Sequence, residues 1–257
     1  MITYAFAVLL ALAPQGPSRD SLLAEGVRLA PMQPGAALVR FEAILARDSL
    51  DLTANWRAAI ALSDLSLPLT RKPDRPRRDS LLWRGQEDAR RAVRLAPSDA
   101  NALFALGMVL GNTALTRGNK ERVRMATEIR SLALRAIAAD STHDGALHLL
   151  GRWNYEIMKL SGLERFVAKS ILGGGIFSQA SWAEARRRLE EAVALDPERI
   201  YHRLDLARIL SARNESAAAR SELRLIAGLP NRVAADSTYR REAVELQAKL
   251  GKRNPDS

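Results

Sequence analysis

Residues 182–210 read WAEARRRLEEAVALDPERIYHRLDLARIL, and the fold of the chain follows from this stretch. Its first half places small or apolar residues at helical spacing: Ala185, Leu189 and Ala192. Pro197 ends that helix because proline has no backbone N–H with which to continue it. A second helical pattern follows, in which Leu206 and Ala207 are adjacent. The stretch therefore predicts two helices joined by a tight turn, with small residues where the helices touch.

The same turn recurs along the chain, each time followed by a fresh helical pattern. The four turns are Ala46-Arg47-Asp48-Ser49, Leu95-Ala96-Pro97-Ser98, Ala138-Ala139-Asp140-Ser141 and Ala194-Leu195-Asp196-Pro197. Small residues recur at matching places after these turns, at Ala59, Leu106-Gly107, Leu150-Gly151 and Leu206-Ala207. This arrangement resembles the tetratricopeptide repeat, in which helix A and helix B of each repeat pack closely and successive pairs stack. We therefore predict an all-α, tetratricopeptide-like helical repeat solenoid.

The repeats carry insertions, because the quoted turns begin 49, 43 and 56 residues apart and a bare repeat has about 34 residues. Pro68 to Ser80 contains three prolines and five basic residues, which predicts a solvated loop. Leu160 to Leu172 keeps helical spacing until Gly173-Gly174-Gly175. We interpret that segment as an inserted amphipathic helix that the glycines end.

Beyond Pro197 the pattern predicts three more helices. They run to about Arg213, from about Glu215 to Ala227, and from about Ser237 to Leu250. The last has a continuous polar face, which suits a capping helix with one side in water. The helical repeat domain is thus expected to cover residues 18–251, with a loose tail at 252–257.

Composition supports the helical prediction and narrows the function. Apolar residues make up 47% of the chain but aromatic residues only 5%, whereas sheets favour aromatic and β-branched side chains. The net charge is +10, but no arginine run interleaved with aromatics accompanies it, so nucleic-acid binding is not expected. The chain contains no cysteine, which excludes disulfides, thiolate zinc sites and a cysteine nucleophile.

The N-terminal residues resemble a secretory signal. Ile2 to Ala13 is an apolar run interrupted by Thr3, too short to span a bilayer, and Ala11-Leu12-Ala13 matches a small-x-small cleavage site. We interpret residues 1–17 as a signal-like segment and expect export, to the periplasm of a bacterium. The alternative is a buried or frayed helix in a cytoplasmic protein. No later stretch has the length of a transmembrane helix.

A more specific resemblance rests on several short runs. Residues 139–156 read ADSTHDGALHLLGRWNYE, residues 180–185 read ASWAEA, and residues 195–197 read LDP. Residues 55–57, NWR, and 89–92, ARRA, extend the likeness upstream. Together these runs resemble the regulator of microtubule dynamics family and its bacterial relatives, over roughly residues 35 to 230. The resemblance implies a repeat fold with no catalytic residues. Eukaryotic members are associated with microtubules and mitochondria, and some with lipid handling.

Residue types with catalytic potential do not form a recognisable site in the sequence. His143 and His148 are five apart, not the four that would place both on one helical face as metal ligands. Gly173-Gly174-Gly175 lacks the Lys-Ser/Thr of a phosphate loop, and Glu190-Glu191 lies among arginines on a solvated face. We therefore predict no enzyme activity, no metal and no cofactor.

The candidate site is the concave groove, which helix A of each repeat lines in this fold. Positions equivalent to the inner face are Trp56, Ile60, Phe104, Met108, His148, Arg152, Leu204 and Arg208. Tyr155 joins them, because with Arg152 and Trp153 it belongs to the densest aromatic cluster of the chain. The groove is expected to be apolar toward the N-terminus and cationic toward the C-terminus.

Two functions fit such a groove. The first is a protein-interaction scaffold that holds an acidic, amphipathic segment of a partner, with its acidic residues meeting Arg152 and Arg208. The alternative is a carrier of an amphiphile such as a lipid, with the Leu160 to Leu172 helix as a lid. Native mass spectrometry after mild purification separates them, because only a carrier retains a small molecule.

Overall fold

The computed structural model describes residues 16–162, 164, 166 and 175–253. Most of the signal-like segment, most of the inserted Leu160 to Leu172 segment and the last four residues therefore lie outside the described residues, and export stays a prediction. The described ranges contain helices and turns but no strand. This confirms the all-α prediction.

The helices follow one another as A and B members of stacked pairs. In chain order they are α1 (Arg19–Leu29), α2 (Pro34–Leu45), α3 (Leu52–Ser66), α4 (Arg75–Leu95), α5 (Ala100–Leu115), α6 (Asn119–Ala139), α7 (Asp144–Met158), α8 (Trp182–Leu195), α9 (Ile200–Ala212), α10 (Ser216–Gly228) and α11 (Asp236–Arg253). A 3-10 turn, Lys72–Asp74, precedes α4, and a short helical turn, Gly175–Ser178, precedes α8. The last helix continues past Leu250, where the sequence predicted it to end.

After three of the four recurring turns a side chain caps the next helix, whereas α9, after the fourth, has no side-chain cap. Asp51 accepts a hydrogen bond from the Ala54 N–H at 2.8 Å, and Asp99 accepts one from the Ala102 N–H at 2.8 Å. His143 does the same through Nδ1 at the start of α7. Such caps satisfy N–H groups that have no partner within the helix. The turn pattern is thus a set of helix start signals.

Small residues bring paired helices close together, as the Leu-Gly pattern predicted. A Cβ added at Gly151 would lie 2.9 Å from Leu189 Cγ and 3.1 Å from the Ala185 carbonyl oxygen of α8. In the described ranges the buried side chains form three apolar clusters along the stack, in α1 to α3, α3 to α7, and α7 to α11. Helix α7 contributes Trp153 to one cluster and Tyr155 to the next. It therefore joins the two halves of the molecule.

The loop predicted at Pro68 to Ser80 needs correction, because α4 begins at Arg75. Pro76 lies in the first turn of α4, where a residue without an N–H loses no helical hydrogen bond. Pro73 lies in the 3-10 turn just before it. The prolines thus start the helix rather than prevent it, and the true loop is only a few residues long.

The stack curves until its two ends meet. The backbone N–H of Ala234, just before α11, donates a hydrogen bond of 2.8 Å to the carbonyl oxygen of Pro31, between α1 and α2. We call this contact the seam. It converts the concave groove into a deep cavity. Within the described residues, no helix is both long and apolar enough to cross a membrane.

Candidate functional site

The cavity behind the seam has a volume of about 470 Å³, which lies within the range of small-molecule sites. Helices α3, α5, α7 and α9 line it with their inner faces, and α6 and α11 complete the wall. The main apolar contributors are Ile60, Phe104, Met108, Val123, Leu149 and Ile157. The cavity therefore offers an apolar interior surrounded by helix A of successive repeats.

Gly145 creates the space that Phe104 occupies in the wall. A Cβ at position 145 would lie 2.7 Å from Phe104 Cζ, well inside contact distance. The Phe104 ring also packs against the His143 ring, with centroids 4.8 Å apart. The glycine thus fixes the position of an aromatic side chain that faces the cavity.

Six of the nine residues predicted for the groove line the cavity: Ile60, Phe104, Met108, His148, Arg152 and Arg208. The structure does not bring Trp56, Tyr155 and Leu204 to it. Trp56 lies one turn before Ile60 and packs under the Arg57 guanidinium, 4.2 Å from its ring centroid.

Tyr155 and Leu204 are buried in the core between α7 and α9–α11, and Leu204 has no exposed surface. The inner face of α9 instead presents Tyr201, Asp205 and Arg208. Leu204 differs by one residue from Asp205, and one residue turns a side chain by about 100° around a helix. The repeat pattern assigned Leu204 to the inner face, but on α9 that face is one residue further on, so Leu204 points into the core.

The arginines predicted to make the groove cationic are paired within the protein. Arg152 Nη1 lies 2.8 Å from Asp205 Oδ2, and Arg208 Nη1 lies 2.5 Å from Asp205 Oδ1. Arg152 also binds Glu156 at 2.9 Å, and Arg208 binds Glu242. These guanidinium groups hold the pKa of Asp205 well below its usual range, against the effect of its burial. The positive charges are therefore compensated and do not form a docking patch for an anion.

Two histidines connect α7 to α9 through a buried hydrogen-bond chain. His148 Nδ1 and His202 Nδ1 are 2.9 Å apart, while each Nε2 faces a carboxylate: His202 Nε2 lies 2.9 Å from Asp144 Oδ2 and His148 Nε2 lies 3.1 Å from Asp205 Oδ2. Three contacts need three protons, one more than two neutral imidazoles carry. Burial lowers the pKa of His148 to about 4 and also lowers the pKa of His202. Both imidazoles are therefore neutral at pH 7, and one of the three contacts lacks its proton.

This hydrogen-bond chain was not predicted, although the spacing of its polar residues is visible in the sequence. On α7 the polar residues stand every fourth position: Asp144, His148, Arg152 and Glu156. From the residue before α9 they stand every third position: Arg199, His202, Asp205 and Arg208. Residues three and four apart share one helix face, so two polar stripes facing each other could have been predicted. No three His, Asp or Glu side chains in the described ranges are arranged to hold a metal ion.

Two charged side chains in the cavity were not predicted, and they lack ionic partners among the described residues. The Asp64 carboxyl group accepts no hydrogen bond and forms no ion pair within the described part of the chain, and burial raises its pKa to about 7. Arg199 also lines the cavity, and its Nε has no hydrogen-bond partner there. The Tyr201 ring lies beneath its guanidinium, 5.4 Å away, and the Tyr239 ring lies 5.8 Å from Tyr201.

Stacked helix pairs around an inner cavity define the class of this protein as a tetratricopeptide-like helical-repeat solenoid. A thermophilic TPR protein of Thermus thermophilus has a TM-score of 0.60 at 16% identity, over 90% of this chain and 100% of that one. The PilF protein of Pseudomonas aeruginosa has a TM-score of 0.53 at 17% identity, over 93% of each chain. At such identities these structures establish the fold alone.

The family follows from the sequence match. The family model described as "Regulator of microtubule dynamics protein 1-3" matches residues 36–251, so the chain belongs to this family. Regulator of microtubule dynamics protein 3 of Rattus norvegicus is 26% identical over 202 residues, which are 77% of this chain and 41% of that protein. The bovine protein of the same name is also 26% identical, over 201 residues. The chain thus spans less than half the length of these relatives.

Proposed function

We propose that this protein is a non-catalytic binding protein that holds the apolar part of an amphiphilic ligand in its cavity. The observation that carries the proposal is the cavity itself, a space of about 470 Å³ behind the seam, lined by apolar side chains of successive repeats. Burying an alkyl chain against such a wall contributes about 0.8 kcal/mol per CH₂ group. The repeat family to which the chain belongs supports a binding role.

The size of the cavity favours an extended chain over a partner helix. An α-helix with its side chains is about 10 Å wide and rises 5.4 Å per turn, so one turn fills roughly 400 Å³. A cavity of about 470 Å³ lies in the range of small-molecule sites, which suits an alkyl chain better than a helix of several turns. An acidic partner segment would also have to compete with Asp205, Glu156 and Glu242 for Arg152 and Arg208.

The experiment combines native mass spectrometry with a substitution that fills the cavity. Met108 faces the cavity from the middle of α5, so Met108→Trp should exclude the apolar part of a ligand. The wild-type protein should carry a small molecule or bind a fluorescent long-chain fatty acid, and the variant should not. Val39→Trp is the matched control, because Val39 is 55% exposed on α2. Equal probe binding by the wild type and Met108→Trp would contradict the proposal.

A second function, protein interaction, is supported by a feature of the outer surface. Trp83 on α4 is 63% exposed and borders a shallow groove together with Glu42, Leu45 and Glu87. Exposed tryptophans are frequent anchors of protein interfaces. We propose this outer groove, rather than the cavity, as the docking place of a protein partner. Loss of a copurifying partner in Trp83→Ala but not in Met108→Trp would support it, and retention in both would contradict it.

A further inference from the structure

The cavity contains a carboxyl group that forms no ion pair and accepts no hydrogen bond within the described ranges. Asp64 lies near the end of α3 and lines the cavity close to the seam. The buried carboxylates of Asp51 and Asp205 accept hydrogen bonds from arginine side chains, but the half-buried Asp64 has no such donor among the described residues. A charge that is partly withdrawn from water and has no partner costs free energy. A side chain of this kind is expected where a ligand supplies the missing partner.

The second charge in this part of the cavity is positive and comes from a segment 135 residues further along the chain. Arg199 precedes α9 and lines the cavity. No carboxylate of the described residues lies within ion-pair distance of it, and its Nε lacks a hydrogen bond. Burial lowers the pKa of the guanidinium, but neighbouring Tyr201, to which it is hydrogen-bonded, and Asp144 raise that pKa by more, so Arg199 stays protonated. Arg199 can therefore bind an anionic oxygen of a ligand.

Asp64 and Arg199 are near each other but not paired. Arg199 is close enough for its charge to lower the pKa of Asp64, although burial has the larger and opposite effect. The rings of Tyr201 and Tyr239 line the cavity beside them, and burial keeps both phenol groups neutral by raising their pKa. Two opposite charges thus flank a small polar space at the seam, with hydroxyl groups between α9 and α11.

We propose that this space is the head-group site of a zwitterionic amphiphile, with an ammonium group against Asp64 and a phosphate or carboxylate against Arg199. The tail of the ligand lies along Ile60, Phe104 and Met108. The inference rests on the proposed function of the cavity. Only a zwitterion satisfies both side chains, because an anion alone leaves the carboxylate unpaired and a cation alone leaves the guanidinium unpaired.

The proton balance of binding provides one test. With a pKa of about 7, Asp64 is about half protonated in the empty protein at pH 7. An ammonium group lowers that pKa, so binding should release about half a proton per ligand at pH 7 and almost none at pH 9. Titration calorimetry in buffers of different ionisation enthalpy measures this release.

Head-group selectivity provides the second test. Three single-tailed probes with the same alkyl chain are titrated into the full chain: a phosphoethanolamine lipid, a phosphate lipid and an alkylammonium. The wild type should bind the zwitterion about tenfold more tightly than either other probe, a preference of about 1.4 kcal/mol. Asp64→Asn should reduce the affinity for the zwitterion to that for the phosphate lipid and abolish proton release. Arg199→Gln should reduce it to that for the alkylammonium. Asp20→Asn, at an exposed position, is the control and should change nothing.

The outcomes separate this inference from the proposed function. If all three probes bind equally to the wild type and Met108→Trp excludes them, the cavity binds amphiphiles and the head-group site is refuted. If no probe binds the wild type, both proposals fail. Should Asp64→Asn or Arg199→Gln not fold, proton release by the wild-type protein decides: a release near zero at pH 7 overturns the inference.

Discussion

At the scale of single residues, the cavity contains charges of two kinds. Asp205 is fully compensated, because Arg152, Arg208 and His148 all donate to it. Asp64 has no donor among the described residues, and its raised pKa shows that the folded protein disfavours its ionised form. The first kind of charge stabilises the fold, whereas the second costs stability and is available to a ligand. Substitutions at the two positions should therefore have opposite effects.

Asp64→Asn should stabilise the protein at neutral and higher pH. The carboxyl pKa is about 7 in the folded protein, whereas an unperturbed aspartate has a pKa of 3.8, so the native state loses stability as pH rises from about 4 to above 7. Removing the charge should raise the free energy of unfolding by up to about 4 kcal/mol at pH 8 but by only about 0.5 kcal/mol at pH 4. Urea denaturation of both proteins at the two pH values measures the difference. A gain that did not depend on pH would contradict this explanation.

Asp205→Asn should instead lower the free energy of unfolding. It leaves two buried guanidinium groups without their shared carboxylate, which typically costs about 3 to 5 kcal/mol. The same measurement at pH 7 checks it, with Glu190→Gln as the control. Glu190 pairs with Arg186 on an exposed face, so its loss should cost less than about 1 kcal/mol. Similar losses in the two variants would show that the Asp205 network contributes little.

At the scale of helices, the contact between helix A and helix B depends on small residues at the point where the two helices are closest. Gly151 of α7 lets α8 approach until the Ala185 carbonyl oxygen is within 3.1 Å of where a Cβ would be. The Leu-Gly pattern in the sequence predicted this contact correctly, because a small residue at the closest point of two helices is a local requirement. The pattern could not show which way the rest of each helix faces. This is why Leu204 lies in the core while Tyr201 and Asp205 face the cavity.

Gly151→Ala should destabilise the protein by about 1 to 3 kcal/mol, because backbone atoms of α8 must shift to admit the methyl group. Gly251→Ala is the matched control. Gly251 lies in α11 with nothing within 4 Å of its added Cβ, so alanine should be neutral or add up to about 1 kcal/mol by helix propensity. Thermal denaturation followed by circular dichroism compares them. An unchanged transition in Gly151→Ala would mean that α7 and α8 pack less tightly than the added-Cβ distances indicate.

At the scale of the whole molecule, the seam decides whether the protein has a groove or a cavity. Its ends belong to the first and last parts of the chain, Pro31 and Ala234. The residues that flank it, including Asp64 and Tyr239, are also cavity residues. A ligand that enters between the ends would have to separate them. The seam is thus a structural closure of the cavity.

Cysteines placed across the seam should report its closure. The chain contains no cysteine, so Pro31→Cys combined with Ala234→Cys creates the only possible disulfide. Mild oxidation of the folded protein should link the two positions, and the link should slow probe release from the cavity at least tenfold compared with the reduced protein. Each single variant serves as a control that cannot form the link within one chain. A folded double variant that stays unlinked would show that the ends do not meet.

The sequence by itself determined the array of helix pairs, their turns and their close contacts, because caps, proline stops and small residues act within a few positions of one another. The resemblance to the family followed from the same local runs. Only the tertiary structure decided that the array closes at Pro31 and Ala234, since closure depends on the rotation accumulated over all repeats. It also decided that Asp205 neutralises Arg152 and Arg208, while Asp64 and Arg199 have no ionic partner in the described part of the chain. Asp205 and Arg208 are three apart on one helix, but the pairs Arg152–Asp205 and Arg208–Glu242 join helices that are far apart in sequence, and no local pattern specifies that those charges meet.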